Sequence, residues 1–214
     1  MNNPQSSQTI PSGFVVETRT PLEVTDDEGI SRVPNVVLEN GLLLAPDMIP
    51  QKLLDLAAQV DAATDPKARW FGSVAIVAAA LCVDRVMSLD AALERLDAEC
   101  TAQILPDGGH VSRSPSRGLN AFVHLLTLQD LFHQAGHPEP DFFGKWIPRM
   151  GAMVAFFRCG DGALSPFNDG DEARPEVVEA ALAQLPSPPR RFTFAPKSGY
   201  QKLEKSGLRL ILDC

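Results

Sequence analysis

His110, Arg113 and Arg117 are the residues whose types and spacing best suit chemistry. They follow an Asp107-Gly108-Gly109 turn and bracket Ser114-Pro115, a helix cap followed by a proline suited to the first helical position. Between Gly108 and Gln129 the two arginines are the only formally charged side chains. Two guanidinium groups beside a helix N-terminus make a locally positive place that suits an anionic group. A structural reading competes with this one. In it, the arginines are solvated first-turn residues and His110 closes its loop by a hydrogen bond. The residues alone leave both readings open.

Other reactive types point mostly to structure. His124 falls inside a helical stretch, as a satisfied core or groove histidine would. His133 and His137 have i,i+4 spacing, but Gly136 ends the helix between them and no third ligand accompanies them, so no metal is expected. Asp107 and Asp161 each precede a glycine in a turn, which explains them without chemistry. Tyr200, the single tyrosine, reads as a packing residue. Cys82, Cys100, Cys159 and Cys214 form no CxxC pair and no metal-ligand spacing. No cofactor is implied.

The elements that must position these residues are mainly helical. Residues 1–46, rich in Ser, Thr, Pro and acidic side chains, read as an extended or weakly ordered lead-in. Residues 47–186 read as a helical domain. A helix is expected from Asp47–Pro50 onward, then helices over Pro66–Asp84, after the Ser88 cap, from Ser114-Pro115 to Gly136, over Asp141–Phe157, and after Arg174-Pro175. Residues 187–214 switch to alternation: Phe192–Phe194, Tyr200–Glu204 and Leu208–Leu212 read as strands, with Lys205-Ser206-Gly207 as a turn. Leu105-Pro-Asp107-Gly108-Gly109-His110 with Ser114-Pro115 recurs as Cys159-Gly-Asp161-Gly162-Ala-Leu164 with Ser165-Pro166. That echo, about one helix pair apart, is expected of stacked helical hairpins.

The net charge of −8 argues against nucleic-acid binding, which needs basic stripes, while leaving a locally basic cleft possible. The N-terminus has neither a basic n-region nor an apolar h-region, and the most apolar run, Val74–Val83, is too short to span a bilayer. A chain starting here is expected to be cytoplasmic and not membrane-inserted.

Ile104–Pro115, Met150–Leu164, Phe167-Asn168 and Ser198–Glu204, in that order, resemble segments of the heparinase II/III family of polysaccharide lyases. The resemblance covers roughly residues 47–214. It implies α/α-toroid-type helical hairpins followed by the first strands of an antiparallel β-sandwich, in a chain that is incomplete and inactive alone. It also implies a cell-envelope or periplasmic setting and an acidic polysaccharide partner, cleaved by β-elimination in the cleft between the two parts. Such chemistry needs a base for the C5 proton of a uronate, neutralisation of its carboxylate, and an acid for the leaving oxygen. The resemblance gives His110 the catalytic role and Arg113, Arg117 and Asn168 the substrate-binding roles, with Asn168 alternatively a loop cap. Where the family carries a Tyr-His pair after the Ser-Pro, this chain has Arg117-Gly118. That departure favours an alternative, a non-catalytic glycan-binding or scaffold repeat. A third reading is a helical repeat for protein partners.

Overall fold

The computed structural model describes residues 22–26, 29–33, 58–82, 88–168, 173–206 and 208–214. In chain order they form β1 (Leu22–Asp26), β2 (Gly29–Val33), α1 (Pro66–Cys82), α2 (Leu89–Gln103), α3 (Pro115–Ala135), α4 (Asp141–Phe157), α5 (Pro175–Ala183), β3 (Phe194–Ala195), β4 (Tyr200–Lys205) and β5 (Leu208–Asp213). The protein is mainly helical with a small antiparallel sheet at its C-terminal end, as expected. The helix expected from Asp47–Pro50 begins outside the described residues, although residues 58–62 are helical. Within the lead-in, β1 and β2 pair antiparallel as a hairpin, from Leu22↔Val33 to Asp26↔Gly29. Most of the lead-in otherwise lies outside the described residues.

The helix boundaries follow their caps. Ser88 accepts from the Ala91 N–H at the start of α2, and Ser114 accepts from the Arg117 N–H at the start of α3, with Pro115 behind it. At the end of α3, Gly136 takes the left-handed conformation (φ 70°), and the His137 N–H reaches the Phe132 carbonyl at 3.0 Å.

Helices α1 and α2 pack together, α1 also packs on α3, α3 on α4, and α5 on α3 and α4. Leu96, Phe122, Leu125, Leu126, Phe132, Phe143 and Met150 are among the side chains fully buried between them. Two indoles bridge neighbouring helices by their N–H groups: Trp70 donates to His124 Nδ1 at 3.1 Å, and Trp146 donates to Asp97 at 3.1 Å. Buried aromatic rings with a satisfied polar tip combine area with a fixed orientation.

The two Asp-Gly turns are built alike. Isolated bridges join Ile104 to His110 and Arg158 to Leu164, each partner 54 positions from its counterpart. In the first turn Leu105 N donates to Gly109 O (2.7 Å) and Gly108 N to Leu105 O (2.8 Å); in the second, Cys159 N donates to Ala163 O (2.8 Å) and Gly162 N to Cys159 O (3.2 Å). Gly108 and Gly162 both have positive φ, 94° and 92°, which glycine accepts without cost to a Cβ. The Ser-Pro part of the echo departs from this register. Ser114-Pro115 opens α3, whereas the helix after the second turn opens at Arg174-Pro175.

The sheet runs in the order β3-β4-β5, with Tyr200↔Asp213 and Lys202↔Ile211 on one face and Leu203↔Leu210 on the other. Tyr200 and Lys202 are buried against the helices. Lys202 Nζ donates to the Phe156 carbonyl in the last turn of α4 at 2.9 Å, and Arg209 Nη1 donates to the Arg158 carbonyl at 2.6 Å. Two cations from the sheet thus satisfy carbonyls at the negative end of α4. Burial pushes the Lys202 pKa down, while its bond to Glu204 works the other way.

Candidate functional site

The first Asp-Gly turn meets the sheet directly, and Asp107 makes the join. Its Oδ2 accepts from the Lys197 N–H (2.9 Å) and the Ser198 N–H (2.8 Å), and its Oδ1 accepts from Ser198 Oγ (2.6 Å) and the Gly109 N–H (3.3 Å). Hydrogen bonds to an ionised acceptor are the stronger kind. Gly109 makes the approach possible, since a Cβ there would lie 2.0 Å from Ser198 Oγ. The second turn has Ala163 at the matching position. Among the described residues, Asp161 accepts only from its own turn, through the Ala163 N–H at 3.0 Å.

Arg113 is the second join. Its Nε donates to the Ser198 carbonyl (3.0 Å), its Nη2 donates to the Gly199 carbonyl (3.2 Å), and it pairs with Asp213 at the end of β5. Its guanidinium lies 5.1 Å from the centre of the Tyr200 ring. The backbone of Arg113 is left-handed (φ 59°), and its carbonyl accepts from Tyr200 OH (2.7 Å) and from Asn168 Nδ2 (3.0 Å). Asn168 Nδ2 also lies 2.7 Å from Tyr200 OH. Non-glycine residues hold a left-handed backbone only where neighbours over-determine it, and these three groups do so.

His110 Nδ1 accepts from the Ser112 N–H (3.1 Å) and lies 2.7 Å from Ser112 Oγ. The backbone donor assigns the remaining proton to Nε2. Burial, with a smaller push from the Arg117 guanidinium, lowers its pKa to about 4. At neutral pH the ring is therefore uncharged, with its basic nitrogen already engaged. Arg117 is exposed. His124 is likewise held near pKa 4 by burial. His133 lies 2.5 Å from Glu139 through Nε2. Burial pushes the Cys100 thiol pKa up.

The structure brings His110, Arg113 and Asn168 to one joint, with Asn168 tied to the Arg113 backbone. Sequence reasoning read Asp107 as a turn residue and Tyr200 as packing, and passed over Ser198 and Asp213. Contacts 91 positions apart leave no local signal. Between the turn and the sheet, where a carbohydrate groove was expected, only about 10 Å³ remains. That is room for about one water.

The geometry defines a helical-hairpin scaffold with a clamped sheet, without the open groove expected at the joint. No family model matches the chain, and no solved structure matches it. FtsZ-localized protein C of Caulobacter vibrioides (strain NA1000 / CB15N) is 40% identical to it over 126 residues, which is 59% of this chain and 22% of that protein. The chain thus spans about a fifth of the length of the curated relative it matches. This relative overturns the heparinase II/III resemblance, and with it the lyase activity, the β-elimination chemistry and the acidic polysaccharide partner, and it lends no support to the cell-envelope setting. Physically, the clamped joint leaves no space for a sugar ring beside His110. Among the described residues no helix is long and apolar enough to cross a membrane.

Gly109→Ala is expected to lower unfolding stability by about 1–3 kcal/mol through displacement of Ser198 and loss of its bonds, measured by urea denaturation. It should also speed proteolysis between residues 187 and 199. Ala163→Gly, at the matching turn, should leave that cleavage rate unchanged; equal sensitivity of the two variants would contradict the joint. The two depressed histidines give a pH signature. Their folded pKa of about 4 lies below the unfolded value near 6.5, so the unfolded chain takes up protons first. Stability is therefore full above about pH 6.5 and falls as pH drops toward 4, by at most roughly 3 kcal/mol per histidine. His124→Gln, which keeps an acceptor for Trp70, should flatten the slope between pH 6.5 and 5; an unchanged slope would refute the assignment.

Proposed function

We infer that this chain is a protein-interaction module of the bacterial division apparatus, acting in the cytoplasm on FtsZ or an FtsZ-bound assembly. The observation that carries the reading is the 40% identity over 126 residues to a protein named for its localisation to FtsZ. The geometry supports it in a second way. Arg113 holds the turn to the sheet and His110 closes its own loop through Ser112, as a rigid scaffold requires. Of the readings open from the sequence, this is the helical repeat for protein partners. We divide the chain accordingly: the lead-in over 1–46, the helical body over 47–186, and the sheet over 187–214 as the body's clamped end.

Purified chain should pellet with FtsZ polymers assembled in GTP and stay in the supernatant with unpolymerised FtsZ or with GDP. A fluorescent fusion should gather at the division plane and disperse on FtsZ depletion. Supernatant partitioning under all conditions, with a diffuse fusion, would refute the reading.

A further inference from the structure

We draw no further inference here: the strongest candidate, the outward apolar face of the C-terminal sheet formed by Leu203, Leu208, Leu210 and Leu212, carries nothing, because nothing in the structure shows what covers it.

Discussion

The Asp107 carboxylate carries the densest set of bonds between the helical body and the C-terminal sheet. Asp107 accepts two backbone N–H groups and a hydroxyl from the Lys197–Ser198 turn while also closing its own turn through Gly109. A short three-stranded sheet has little independent stability. Its persistence here depends on what its inner face meets. Asp107 holds the Lys197–Ser198 turn, and Arg113, Tyr200 and Lys202 add bonds between the same sheet and the helical body. The closeness of the join also leaves room for about one water beside His110.

The two turns meet the sheet differently: Asp107 of the first holds the Lys197–Ser198 segment, whereas the second offers the Arg158 carbonyl to Arg209. Both turns share the bridge, the glycine of positive φ and the Asp that bonds within its own turn. Of the positions at which they differ, one bears on the approach of Ser198. Gly109 lets Ser198 approach the carboxylate, whereas Ala163 carries a methyl group at the equivalent place. A methyl group at position 109 would overlap Ser198, and packed interiors tolerate no overlap at that scale.

Local chemistry made most of the helical architecture legible. Ser88, Ser114-Pro115, Gly136 and Arg174-Pro175 mark boundaries through the geometry of caps, and the strands near the C-terminus declare themselves by alternation. The hairpin of β1 and β2 was not legible, since a polar, acidic segment masks a five-residue alternation. The site was legible only in part. His110, Arg113 and Asn168 do converge, yet what Arg113 and Asn168 do depends on partners 32 to 100 positions away. A positive turn that faces solvent and one clamped under a sheet have the same sequence signature. The heparinase II/III resemblance supplied a groove where the folded chain has a joint.

A scaffold with a rigid join presents the rest of its surface in fixed relation, which is what an interaction module needs from its fold. The most direct measurement is a double-mutant cycle between Asp107→Asn and Ser198→Ala, read as unfolding free energy in urea. The account predicts a coupling of about 1–2 kcal/mol, because the two side chains share a charge-assisted bond at 2.6 Å. Effects that add to within about 0.3 kcal/mol would contradict it.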